Sequence, residues 1–187
     1  MRRPIACRIL AFAAALVPVF TGSVGAQNRP AMSLSGGARM YDADGAESMV
    51  TVAIRSEIPM GGLVLELAGS VADPAEGAEL STASVFEAQV QLPIPLGETL
   101  TPYVGAGGGF AKTYTGAKED EEFQTALSAS AGVKWALAER LGLVVDARVR
   151  GIGTDFAGTH TDLTVGLRYQ FGRRDRPRFR GAPRPRS

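Results

Sequence analysis

Asp162-Leu163-Thr164-Val165-Gly166-Leu167-Arg168-Tyr169-Gln170-Phe171 alternates from end to end. Leu163, Val165, Leu167, Tyr169 and Phe171 form one side, fully apolar; Asp162, Thr164, Gly166, Arg168 and Gln170 form the other, fully hydrophilic. Successive side chains of an extended chain point to opposite faces, so a period of two marks a strand with two different solvents. The same split recurs upstream. Leu141, Leu143, Val145, Ala147 and Val149 oppose Asp146, Arg148 and Arg150; Leu63, Leu65, Leu67 and Val71 oppose Glu66 and Ser70. In 123–137, Phe123, Leu127, Ala129, Ala131, Val133, Trp135 and Leu137 oppose Gln124, Ser128, Ser130 and Lys134.

Beyond Arg29 no stretch holds a helical period for three turns. The alternating segments are 32–41, 48–58, 62–72, 84–94, 99–112, 123–137, 141–150 and 162–171, each bounded by Gly, Pro, Asp or charge clusters. A soluble sandwich also alternates. Length separates the two readings: each segment runs about ten residues, enough for a tilted strand to cross a bilayer core, whereas ordinary strands average roughly half that. The connections alternate too. Pro59-Met60-Gly61, 93–98 and Ala138-Glu139-Arg140 are short, while 42–47, 73–83, 113–122 and 151–161 are longer and mostly acidic, the pattern of an outer-membrane barrel.

With the N-terminus periplasmic, that topology puts Phe86, Phe110 and Phe123 at the outer rim and Trp135, Tyr169 and Phe171 at the periplasmic rim. Two aromatic girdles are expected where amphipathic rings meet membrane interfaces. Hydrocarbon satisfies no N–H or C=O, so the strands must close on one another. The expected fold is therefore all-β: a closed eight-stranded antiparallel up-and-down transmembrane β-barrel over residues 27–172, with an interior that side chains can fill.

The 187-residue chain opens with Arg2, Arg3 and Arg8, followed by an uncharged run over 9–19 and the small residues Ser23-Val24-Gly25-Ala26. This is the pattern of a secretory signal over 1–26, cut after Ala26; Pro18 and Gly22 interrupt it, and it is too short for a membrane anchor. Cys7, the only cysteine, goes with the signal, which excludes disulfides and cysteine-held metals from the mature chain. Residues 27–172 hold ten basic against 18 acidic side chains, and seven arginines crowd into 173–187. Pro177, Pro183 and Pro185 keep that tail from adding a strand, so it reads as a disordered periplasmic extension.

Two stretches carry a family resemblance. Leu100-Thr101-Pro102-Tyr103-Val104-Gly105-Ala106-Gly107-Gly108-Gly109-Phe110 resembles the PYVGAG strand of small OmpA/OmpX-like outer-membrane β-barrel domains. Thr164, Gly166, Tyr169 and Phe171 are similar to that family's terminal-strand signal, a polar residue and a glycine followed by two alternating aromatics. The resemblance implies export to a bacterial outer membrane and recognition by the barrel-assembly machinery. One departure is that Gly172 and fifteen more residues follow Phe171, where the family usually ends.

The inward faces are expected to carry Arg39, Arg55, Glu57, Glu66, Glu87, Gln89, Gln91, Lys134, Asp146, Arg148, Arg150, Asp162 and Arg168, six basic against five acidic groups. Desolvated charges need partners, so the expected lumen is a packed network of compensating ion pairs; a charge-lined ion path is the alternative. Gly105, Gly107, Gly109, Ala126, Ser128, Ser130 and Gly132 leave one wall small, with room for long Arg and Lys side chains from the wall opposite. His160-Thr161-Asp162 does not match the His-x-Ser element of barrel-shaped lipid-A deacylases, and His160 reads as a solvated loop residue, so no catalytic group is expected.

The acidic loop residues Asp42, Asp44, Glu47, Asp73, Glu76, Glu79, Glu119, Asp120, Glu121 and Glu122 read as a solvated face. Sharing divalent cations with lipid phosphates is their sharper reading, without a dedicated metal site. No cofactor is expected. The expected partners are outer-membrane lipid and lipopolysaccharide, the assembly machinery and, for the basic tail, either an anionic periplasmic partner (lipid headgroups or cell-wall polymer) or none; nucleic acid is excluded by compartment. The functional expectation is a monomeric structural or surface-contact barrel. A narrow ion channel comes second, a lipid-modifying enzyme third and a soluble lipocalin-like carrier fourth.

Overall fold

The computed structural model describes residues 29–41, 48–74, 83–113, 123–153 and 158–172. Every element in them is a strand: β1 (Ala31–Tyr41), β2 (Ser48–Met60), β3 (Leu63–Pro74), β4 (Ala83–Pro93), β5 (Leu100–Thr113), β6 (Phe123–Ala136), β7 (Leu141–Ile152) and β8 (Gly158–Gln170). Each pairs antiparallel with its neighbours in sequence, and β1 closes on β8 from Ala31↔Gln170 to Tyr41↔His160. The result is a closed barrel without a sheet edge. Closure follows from the backbone: an open edge would leave a row of N–H and C=O groups facing a medium that cannot bond them.

The short connections cluster at one end with both ends of the described chain. Between β2 and β3, Gly61 and Gly62 both take positive φ, 58° and 102°, as a two-residue hairpin with the twist of its flanking strands requires. At the β4–β5 connection Leu96 N–H donates to Leu100 O and Ile94 N–H to Pro102 O, both at 2.8 Å. Leu137 and Ala138 both donate to Leu141 O at 3.0 Å, turning β6 into β7.

The structure shifts several expected boundaries. β2 runs through Pro59 and Met60, so the turn is Gly61-Gly62 and not Pro59-Met60-Gly61. The larger shift is at β7 and β8, which pair on through Arg150↔His160 to Ile152↔Gly158. Residues 151, 152 and 158–161, expected in a loop, are therefore strand, because each added ladder pair satisfies backbone groups whatever the local glycine content. The signal segment, the tail and the acidic residues Asp42, Asp44, Glu47, Glu76, Glu79 and 119–122 lie outside the described residues; Asp73 ends on β3, half-buried.

The solvation of the barrel is inverted relative to a water-soluble fold. Leu167 is 62% exposed and Val50 68%, while Arg39 and Arg148 are 0% exposed. Water would favour the opposite arrangement. An apolar exterior around an ionic interior is stable where hydrocarbon wets the outside and buried charges pair within.

Candidate functional site

Inward positions alternate along every strand, so residues distant in sequence meet across the lumen. At the long-loop end Arg39 (β1) grips Asp162 (β8) with two bonds, Nε to Oδ1 at 2.7 Å and Nη2 to Oδ2 at 3.0 Å; Nη2 also donates to Ser70 Oγ at 3.1 Å. Such fork geometry matches a guanidinium to a carboxylate. Arg150 (β7) bridges onward, donating to Asp162 Oδ2 and, through Nη2, to Glu87 Oε1 at 2.5 Å. Arg148 reaches Glu87 Oε1 at 2.5 Å and Glu66 Oε1 at 2.6 Å, its Nε lying 3.3 Å from Asp146 Oδ1.

Below this level Gln91 couples two charges. Its Nε2 donates to Glu66 Oε2 and its Oε1 accepts from Lys134 Nζ, both at 2.7 Å. Lys134 Nζ lies 3.1 Å from Glu57 Oε2, and Arg168 closes on Glu57 with Nη2 to Oε2 at 2.7 Å and Nε to Oε1 at 3.2 Å. Arg55 binds Asp146 Oδ1 at 3.0 Å, Thr164 Oγ1 at 2.8 Å and Ser35 Oγ at 2.8 Å. One connected network thus runs the length of the lumen and holds all eleven charged residues singled out in the sequence. Each ion has lost hydration, and its partners supply the compensation that an isolated buried charge would lack.

Sequence reasoning missed Tyr103. Its hydroxyl donates to Asp146 Oδ2 at 2.5 Å, it is only 1% exposed, and Lys134 Nζ sits 4.6 Å from the ring centre. The signal was present: Tyr103 shares parity with Gly105, Gly107 and Gly109. The small wall also accommodates neutral side chains. The atoms nearest a Cβ added at Gly105 or Gly107 include side-chain atoms of Gln89, with Gln91 also beside Gly105; at Gly132 they include Tyr103 Oη. Gln89 is held by Ser128 and Ser130, donating to Ser128 Oγ at 2.6 Å and accepting from Ser130 Oγ at 2.7 Å. The expectation for His160 is also corrected. The residue lies on β8, points inward and is 1% exposed, because the extended β7–β8 ladder carries it into the barrel.

The outward aromatics are all exposed: Phe86, Phe110 and Phe123 toward the long-loop end, Trp135, Tyr169 and Phe171 toward the short-turn end. On the terminal strand Thr164 faces inward and is buried. A Cβ at Gly166 would lie 2.4 Å from Leu34 O. Tyr169 and Phe171 pack edge to face, centroids 5.1 Å apart. Phe171, just past β8, still donates its N–H to Pro30 O at 2.9 Å.

No curated protein matches the chain by sequence. Among solved structures, Neisserial surface protein A matches with a TM-score of 0.67 at 13% identity, covering 76% of this chain and 97% of that one. The N-terminal β-barrel domain of Pseudomonas aeruginosa OprF matches with a TM-score of 0.56 at 15% identity, over 78% and 100%. The attachment invasion locus protein Ail of Yersinia pestis gives 0.54 at 14% identity, over 77% and 99%. These likenesses agree with the strand count and closure. A family model described as outer membrane protein beta-barrel domain matches residues 12–171. With its lipid-compatible exterior, closed eight-strand ladder and near full-length family match, the chain belongs to the outer membrane protein β-barrel domain family.

Proposed function

We propose that the protein is a non-conducting, non-enzymatic barrel of the bacterial outer membrane that supports the envelope or makes surface contacts. The observation that carries this reading is the lumen. Its charged side chains are tied to one another by short bonds from Arg39 at one end to Arg168 at the other. An ion moving through would have to break several such pairs, each costing far more than a solvated surface contact. Tyr103 adds a buried ring among them. The non-enzymatic part rests on His160, which is buried inside the barrel, away from the lipid-facing surface where a lipid-acyl hydrolase of this shape would place its base.

Export with cleavage after Ala26 belongs to the same reading, as does recognition of Thr164, Gly166, Tyr169 and Phe171 by the barrel-assembly machinery. So do girdle roles for the six outward aromatics, a monomeric state, and contact through the acidic outer loops. Planar-bilayer recording of the refolded barrel tests the central claim. The expected trace is a flat baseline up to 100 mV, roughly the potential worth about 2.3 kcal/mol per charge. Reproducible single-channel steps would replace this reading with a narrow channel.

A further inference from the structure

Around the short-turn end the outer wall is not smooth. Met32 and Leu34 of β1, Ile54 of β2, Leu141 of β7, and Leu167 and Tyr169 of β8 line a groove across the β1–β8 closure. The ladders place Met32 opposite Tyr169 and Leu141 opposite Tyr169 from the other side, so the groove straddles β8. Ser33 and Arg168 complete the lining, and the surface it offers is almost wholly apolar.

The chemistry changes at the rim. Arg140, in the β6–β7 turn, donates from Nη1 to Tyr169 Oη at 3.4 Å, and its backbone oxygen accepts from Gln170 N–H at 2.8 Å. The guanidinium is exposed, so most of its N–H donors face the interface. The adjacent carboxylate, Glu139, approaches Arg29 at 4.0 Å. Past Gly172, the chain that leaves this same end carries seven more arginines in 173–187. An apolar groove with an exposed guanidinium at its rim, beside the Glu139 carboxylate, is complementary to a molecule with a hydrocarbon chain and an anionic head.

We propose that this groove binds an anionic diacyl phospholipid of the leaflet next to the short turns, with an acyl chain along Leu34, Leu141 and Leu167 and the phosphate on Arg140. The proposal rests on the membrane-spanning reading. Tyr169 lines the groove and accepts a bond from the guanidinium, so Arg140 stands next to it at the rim. A basic side chain at a membrane surface favours anionic over zwitterionic lipid by about five-fold.

Native mass spectrometry of the full chain, released from nanodiscs of equal phosphatidylglycerol and phosphatidylcholine, tests it. Retained phosphatidylglycerol is expected to exceed phosphatidylcholine about five-fold. Arg140→Gln should bring the ratio to about one while heat-modifiable gel migration is unchanged. Leu167→Trp, which fills the groove, should lower retention of both lipids. A ratio that survives Arg140→Gln, including one lost only when 173–187 is deleted, overturns the proposal. So does lipid retention that ignores Leu167→Trp, or a dimer that this variant dissolves. A chain that inserts but shows no preference sinks the lipid site alone; one that does not insert sinks the membrane reading with it.

Discussion

Replacing Arg148 by Met probes how dry and how tightly paired the lumen is. Arg148 is 0% exposed and serves three carboxylates: Glu87 at 2.5 Å, Glu66 at 2.6 Å and Asp146 at 3.3 Å. Without it Glu87 keeps Arg150, and Asp146 keeps Arg55 and Tyr103. Glu66 keeps the neutral amide of Gln91, so the cost concentrates there. Stranding a buried charge in this way costs about 3–5 kcal/mol. Against a slope of about 2 kcal/mol/M, that moves the urea midpoint down by roughly 2 M. Adding Glu66→Gln removes the stranded charge and leaves its amide partner, so the double variant should regain more than half the loss, a coupling of roughly 2 kcal/mol. Unfolding from short-chain lipid vesicles, followed by fluorescence of Trp135, the single tryptophan, measures Arg148→Met, Glu66→Gln and the double variant. The reasoning fails if Arg148→Met costs less than about 1 kcal/mol, the scale of a solvated pair, or if the two substitutions simply add.

Three further outcomes are expected. Tyr103→Phe removes a 2.5 Å bond to Asp146 and should destabilise the barrel by about 1.5–3 kcal/mol in the same unfolding assay; an unchanged midpoint would mean that water replaces the hydroxyl. Gly109→Ala would place its Cβ 1.8 Å from Phe86 O, so the β4–β5 ladder must shift and the heat-modifiable fraction after refolding should fall below half of wild type; wild-type yield would show that the strands separate easily. Asn tolerates the left-handed region and Val does not. Gly61→Asn should therefore refold normally while Gly62→Val loses about 1–2 kcal/mol, and equal behaviour of the two would contradict the turn geometry.

Much of the architecture was legible before any coordinates because its cause is local. Leu163 through Phe171 alternate because one face meets hydrocarbon and the other meets charge, and a period of two needs no knowledge of neighbours. The inward set from Arg39 to Arg168 follows by parity, as do the outward Phe110 and Trp135. Tyr103 follows by the same parity, although the glycines dominate its strand. His160 does not: Gly151, Gly153 and Gly158 around it read as loop, and only the pairing partner on β7 extends the strand far enough to turn the ring inward.

What the sequence determined by itself, then, is which side chains of its alternating segments face in, how many strands cross, and that they close; the inward turn of His160 lay beyond those segments. The tertiary structure alone decided who meets whom. Arg55 and Asp146 are separated by 91 residues, and Arg39 and Asp162 by 123, yet each pair is in contact. No local rule selects those partners. Ladder register around a closed cylinder sets the height at which each inward residue sits, and buried charges then bind whatever opposite charge shares that height.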